Sequence, residues 1–392
     1  MESATPRVRA ALGGLVAFGL LAAFGAGTLA GRHLTLTRVT ASLAAWDDAL
    51  TLGRAADLDG ARERLAPAYL DPARALSEMD DYVWVSPNAP APFLGTTVAK
   101  RDDHRARVSR RGFRGPHDPT RMKPAGRTRI ILLGGSTAFS VGAPDDAHTI
   151  GGYLERMLAL HGDVEVLTFA TPAWASSHER VAIENVLRHL QPDVVISLSG
   201  TNDAVWGAAG RDPHFFRAYY EDAYFRVSAA VGELADRSFV DPVTVRELGP
   251  VTPVELAVER LVENVEISSF VLAKESATYL YALQPTLFAA TRLSAREEAL
   301  LAAQQPTRHE YFDALYPHIA ARVSALAKEQ RNLEFVDLSD MFAEEPEGEY
   351  FLDGFHFGDR GNERIAAALA RTLEQRRLLP VTLTMRDPRS GR

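Results

Sequence analysis

Four residues of this chain have the types and spacing to do chemistry together. Ser136 sits in Gly134-Gly135-Ser136-Thr137, Asn202 in Gly200-Thr201-Asn202-Asp203, and Asp353 lies three positions before His356 in Asp353-Gly354-Phe355-His356. A serine hydroxyl attacks a carbonyl only when a base takes its proton, and an imidazole is the better base when a carboxylate fixes its tautomer and stabilises the imidazolium. An amide donor beside them would stabilise the oxyanion that the attack creates. Taken singly each block has a plain alternative: Ser136 as a helix cap, His356 as a structural or solvated histidine. Their order along the chain and their placement at strand ends join them.

The elements that must position these residues begin at Arg129, where short β-branched runs alternate with amphipathic helices, the pattern of a parallel sheet covered on both faces. Strands are expected at Arg129–Leu133, Val164–Phe169, Val194–Leu198, Thr278–Leu283 and Glu334–Leu338. Between them Ile183, Val186, Leu187 and Leu190, and then Leu315, Ile319, Val323 and Leu326, recur at helical spacing, and a last helix runs from about Asp359 to Gln375. The fold class is therefore α/β, three layers with a mostly parallel, flavodoxin-like sheet. Loops at the carboxyl edge of such a sheet form its ligand site. Ser136 follows the first strand, Asn202 the third, and His356 precedes the last helix, so all reach that edge.

Over about Arg129 to Leu373 these blocks resemble the SGNH (GDSL-like) hydrolase family. The resemblance implies Ser136 as nucleophile, Asp353 and His356 as the rest of a triad, and an oxyanion hole from the Ser136 N–H, the N–H of Ala173 and the Asn202 side chain. Arg111-Gly112-Phe113-Arg114-Gly115 is similar to a segment before the first strand in bacterial members. Gly135 stands where the family often has Asp. Ala173, in Thr168-Phe169-Ala170-Thr171-Pro172-Ala173-Trp174-Ala175, stands where a Gly is expected; its N–H serves at negative φ, whereas a left-handed position would strain it. Asp203 reads as a structural hydrogen-bonding residue.

Composition narrows the classes. The net charge of −8 and the lack of a basic stripe exclude a nucleic-acid partner. The cluster Arg105, Arg107, Arg110, Arg111 and Arg114 reads as a solvated face, with a substrate edge as the alternative. The absence of cysteine rules out disulfides and thiolate chemistry. No G-x-G-x-x-G follows the first strand and the histidines lack metal-ligand spacing, so no cofactor and no metal are expected. A nucleophile elbow of the α/β-hydrolase kind would need a Gly two residues after Ser136, where Ala138 stands.

At the amino end the uncharged run Ala10 to Ala30 follows Arg7 and Arg9 and is long enough to span a bilayer. It is expected to be an uncleaved transmembrane anchor, with a cleaved signal peptide and a buried core helix as alternatives. Arg32 and Arg38 balance Arg7 and Arg9, so the charge rule does not orient it. The expected organisation is an anchor over 1–38, a helical stalk and linker over 39–92 broken at Pro87 to Pro92, a hydrolase domain over 93–380 with an insertion at about 204–254, and a tail over 381–392. Within the insertion the run His214 to Tyr220 forms a lid or packs on the domain. The expected function is a serine ester hydrolase, an acylhydrolase or O-deacetylase acting through an acyl-enzyme, in the periplasm or outside the cell, on a small-molecule or glycan ester. Acyl transfer to a glycan and non-catalytic glycan binding are the alternatives.

Overall fold

A computed structural model describes residues 27–29, 31–34, 58–78, 88–91, 93–213, 249–344 and 348–380. The elements considered below belong to one compact unit, Thr51–Glu221 with Val243–Arg392. It opens with helices α1 (Leu58–Leu65) and α2 (Pro72–Glu78) and two small antiparallel pairs, β1 (Asn88–Ala91) with β2 (Gly95–Val98) and β3 (Arg101–Asp102) with β4 (Arg107–Val108). The alternating part follows: β5 (Thr128–Gly134), α3 (Ser136–Phe139), α4 (Ile150–Leu158), β6 (Val164–Ala170), α5 (Ser176–Asn185), β7 (Val194–Ser199) and α6 (Thr201–Ala208). After residues 214–248 come α7 (Val254–Lys274), β8 (Thr278–Leu283), α8 (Ala295–Ala302), α9 (Pro306–Glu329), β9 (Leu333–Asp337) and α10 (Asp359–Gln375).

Strands β5 to β9 form one parallel sheet in the order β6-β5-β7-β8-β9. Successive side chains of a strand point to opposite faces, and here both faces are apolar. Ile130, Leu132, Ile196, Leu198 and Leu280 join one core with Leu154 of α4 and Ile365 and Leu369 of α10. Ile131, Leu133, Val195, Tyr279 and Tyr281 join the other with Ile183 of α5, Leu261 of α7 and Leu315 of α9. Each such buried side chain contributes about 1.5–3 kcal/mol, which makes the sheet a rigid platform for the loops at its carboxyl edge. Each of the five expected strands lies within one residue of its observed bounds, and the last helix spans the expected residues.

Three expectations differ from what is found. Pro87 to Pro92 reads as a break, yet Asn88–Ala91 is a strand in which Pro90 faces Thr96; a two-stranded ribbon is all edge, where a missing N–H costs no ladder bond. The helix expected through Leu190 ends at Asn185 and continues as a 3-10 turn over Leu187–Leu190, because Pro192 bars Gln191 from helical backbone and Gln191 takes a φ of 55° instead. The Arg cluster is only partly solvated. Arg105 and Arg114 are buried, and Arg114 donates to the Asp146 carboxylate at 2.9 Å and to the carbonyls of Phe139 and Ser140 at 2.7 and 3.1 Å.

The expected transmembrane run lies, apart from residues 27–29, outside the described residues, as does the aromatic run His214 to Tyr220. Among the described residues no helix is long and apolar enough to cross a membrane. The segment 58–78 packs against later parts of its own unit. Leu65, Ala68, Tyr69 and Ala75 cluster with Leu352, the Tyr69 hydroxyl donates to the Gly142 carbonyl, and the Leu70 N–H donates to Asp359 at the start of α10.

Candidate active site

Ser136 stands at the first position of α3, directly after β5. The turn that puts it there needs glycine. Gly134 has a φ of 149°, and a Cβ on it would run into the Leu198 carbonyl of neighbouring β7; a Cβ on Gly135 would run into the Asn202 side chain. The sequence Gly-Gly-Ser thus brings the β5 and β7 loops close enough for Ser136 and Asn202 to face one region.

The Ser136 hydroxyl lies 2.8 Å from His356 Nε2, and His356 Nδ1 lies 2.7 Å from Asp353 Oδ2. The other carboxylate oxygen, Asp353 Oδ1, accepts the N–H groups of Phe355 and His356, both at 2.9 Å. Three-residue spacing makes this local: the Asp353 carboxylate caps the turn on which the imidazole rides. Burial would push the Asp353 carboxyl up, but the charge and hydrogen bond of His356 and the two backbone donors outweigh it and hold it below the usual range. With the carboxylate ionised, Nδ1 carries the proton and Nε2 is free to accept one from Ser136. Ser136 and His356 are both buried.

The loop carrying His356 is fastened to the turn that carries Ser136. Thr137 Oγ1 donates to the Phe355 carbonyl at 3.1 Å and accepts from the Gln284 side chain at 3.0 Å. Thr286 Oγ1 and the Leu287 N–H both donate to the Gly354 carbonyl. Sequence reading had no reason to select Thr137, Gln284 or Thr286, since their partners lie far along the chain.

The second half of the site is the turn after β6. Trp174 N–H donates to the Thr171 carbonyl at 3.1 Å, Pro172 lies between them, and Ala173 has a φ of 69°. Those are the marks of a type II turn, in which Pro fits the first central position and Gly the second. Ala173 is therefore in the strained, left-handed state, which costs a non-glycine residue about 1 kcal/mol or more. Among the described residues neither the Ser136 N–H nor the Ala173 N–H has an acceptor. The Asn202 amide donates to the Trp174 carbonyl at 2.7 Å. Trp174 is fully buried, and its indole N–H donates to the Thr96 carbonyl of β2.

Behind this turn lies a buried polar cluster. Asp203 accepts from the Ser176 hydroxyl at 2.6 Å and the Ser176 N–H at 3.1 Å, and Asn264 donates to the hydroxyls of Ser176 and Ser177. Asp203 is the structural hydrogen-bonding residue expected of it. Glu179 accepts from the Ser199 hydroxyl. Burial is the dominant influence on both carboxyls: it raises Asp203 and pushes Glu179 up to about 8 against the hydrogen bonds that lower it. Glu179 was not foreseen; its place on an apolar-faced helix carries no local mark. Among the described residues no group of three His, Cys, Asp or Glu is arranged to hold a metal.

The profile of the GDSL-like Lipase/Acylhydrolase family matches residues 132–364, more than half of the chain. Solved structures similar to this one include the crystal structure of TesA, at 14% identity and a TM-score of 0.38, aligned over 63% of this chain and 99% of that one. A lipase/acylhydrolase from Enterococcus faecalis is 17% identical with a TM-score of 0.39, over 64% and 97% of the two chains. An acetyl xylan esterase is 13% identical with a TM-score of 0.38, over 62% and 99%. No curated protein matches the chain.

Proposed function

The chain belongs to the GDSL-like lipase/acylhydrolase family and is an ester-bond hydrolase, and from that premise we propose that it works through an acyl-enzyme on Ser136, with His356 as base and Asp353 as its orienting carboxylate. The observation that carries the reading is the continuous relay from Ser136 Oγ through both nitrogens of His356 to Asp353, at 2.8 and 2.7 Å. In the first half-reaction His356 Nε2 takes the Ser136 proton as Oγ bonds to the ester carbonyl carbon. The oxyanion is held by the N–H groups of Ser136 and Ala173 and by the Asn202 amide. As the tetrahedral intermediate collapses, the ester C–O bond breaks and the imidazolium returns its proton to the departing alcohol. Water, deprotonated by the same imidazole, then attacks the acyl-enzyme and releases the acid and free Ser136.

The proposed substrate is a short acyl ester, such as an O-acetyl group, on a hydroxyl-rich alcohol of the glycan class. A cavity of about 550 Å³ at the carboxyl ends of β8 and β9 supports it. Its Phe288 wall packs on Gly354, and its rim carries His309, Asp313, Asp337 and Ser339. That size suits a small-ligand site, and His309, Asp313, Asp337 and Ser339 can hydrogen-bond hydroxyl groups there. The test is a panel of p-nitrophenyl esters of increasing chain length and of acetylated sugars, assayed on the detergent-extracted full chain. Turnover that falls steeply beyond short chains, with kcat/KM highest on acetylated sugars, supports the reading; a preference for long acyl chains overturns it. A product in which a sugar acceptor carries the acyl group would identify transfer instead of hydrolysis.

The proposed location is the outer face of a membrane, with the uncharged run Ala10 to Ala30 as anchor. Membrane fractionation tests the anchor and protease added to intact spheroplasts tests the side. A catalytic unit digested only after lysis reverses the orientation.

A further inference from the structure

The turn Thr171-Pro172-Ala173-Trp174 poses a physical question that the hydrolytic reading leaves open. Ala173 holds a left-handed φ of 69° that glycine would adopt freely, so some force from outside the turn must keep it there. Among the described residues three side chains of one short helix, α6, hold the turn and its exit into α5, where Asn264 of α7 also donates to the Ser176 hydroxyl. Asn202 donates to the Trp174 carbonyl at 2.7 Å, Trp206 Nε1 donates to the Ala173 carbonyl at 3.4 Å, and Asp203 accepts both the hydroxyl and the N–H of Ser176, where the turn enters α5. Asn202 and Trp206 are four residues apart and so share one face of α6. Their donors fix two successive carbonyls, those of Ala173 and Trp174. With the Trp174 N–H also held by the Thr171 carbonyl, the peptide planes on the far side of Ala173 have no freedom to rotate. The Ala173 N–H has no acceptor among the described residues.

We propose that Asp203 and Trp206 are positioning residues that hold Ala173 in its left-handed state, so that an alanine does at this turn what a glycine would do unaided. The proposal rests on the acyl-enzyme reading, in which the Ala173 N–H meets the oxyanion. Without the grip of α6, Ala173 relaxes toward negative φ, its peptide plane swings, and the N–H leaves the site. A glycine there has no such preference to relax toward.

The experiment compares Trp206→Phe and Asp203→Asn, each made in the wild-type chain and in an Ala173→Gly chain, with kcat and KM measured on p-nitrophenyl acetate. In the Ala173 chain each change should lower kcat about tenfold, the kinetic equivalent of one hydrogen bond, with KM within about twofold because the oxyanion forms only in the transition state. In the Ala173→Gly chain the same changes should cost no more than about threefold. Equal losses in both backgrounds, or losses that fall on KM, overturn the proposal. Trp206→Phe keeps the ring and tests the proposal even where Asp203→Asn unfolds the buried cluster. Labelling by a fluorophosphonate, read by mass, separates the two levels. If Ser136 is not the labelled residue the acyl-enzyme reading falls and this proposal with it; if Ser136 is labelled and the losses are equal, the positioning role alone falls.

Discussion

Ser136, His356 and Asp353 are joined by contacts of 2.8 and 2.7 Å, and none of the three has a positive φ. In the turn after β6 Ala173 holds φ at 69°, and two carboxyls, Asp203 and Glu179, are buried behind the turn and pushed up by desolvation. The first half of the site is relaxed and its carboxyl is held down by donors. The second half is strained and its carboxyls are held up by burial. The difference follows from where the partners come from. Asp353 and His356 share one turn, so their geometry is local. The turn at Ala173 is held by α6, from another part of the chain, and the carboxyls behind it, Asp203 and Glu179, are buried away from water.

The largest expected effects break the relaxed half. Ser136→Ala and His356→Ala should each lower kcat by at least about 10⁴-fold, with the double variant hardly worse than either, since members of one catalytic unit are not additive. Asp353→Asn should keep the fold and lose about 10³–10⁴ in kcat through loss of the correct tautomer. Steady-state kinetics checks all four variants, and losses that multiply in the double variant would show that the two residues act separately.

The strained half should give a smaller loss. Asn202→Ala is expected to cost about 10²–10³ in kcat, the usual effect of one oxyanion donor, with an unchanged circular dichroism spectrum; a collapsed spectrum would make Asn202 structural. Gly134→Ala tests the steric hinge between the halves. The added methyl meets the Leu198 carbonyl at a φ that L-residues rarely adopt, so stability should fall by about 1–3 kcal/mol in chemical denaturation.

The smallest effect sharpens the contrast through pH. The Asp353 carboxyl is depressed in the folded protein, so its contribution to stability is present above its unfolded value and is lost as the pH falls. The Glu179 carboxyl is raised from 4.5 to about 8, so its contribution is full below 4.5 and is lost as the pH rises toward 8. Thermal midpoints of Glu179→Gln measured against wild type should therefore converge in acid and favour the variant progressively between about pH 4.5 and 8. A wild-type minus variant difference that stays constant over that window would place an ionised Glu179 in the fold.

Much of the relaxed half was legible in the sequence. Strands β5 to β8 are apolar runs buried on both faces, which declare themselves without reference to the rest of the chain, and Asp353 and His356 announce their contact by spacing. The strained half was legible only in outline. Pro172 at the first central position allows turn types with either sign of φ at the next residue, so on the proposed reading the left-handed Ala173 is held by side chains of α6, a helix from another part of the chain. Arg114 looked solvated because a charge cluster normally is; the carbonyls of Phe139 and Ser140 that draw it inside end a helix too short to see. Pro90 looked like a break because nothing local shows that its strand pairs only once.

The relay between Ser136 and His356 joins positions 220 residues apart, and this gives the enzyme a schedule as well as a shape. A chain leaves the ribosome from its amino end, at about 5–20 residues per second. Strands β5 to β7, with Ser136 and Asn202, emerge long before the segment that holds Asp353 and His356. On the proposed acyl-enzyme reading, Ser136 is an ordinary alcohol until the final turn and α10 arrive and dock. The nascent protein is therefore chemically silent toward every ester it passes during synthesis, and a chain cut anywhere before residue 353 stays silent for good. On that reading activity waits for the last turn of the chain to close on the sheet.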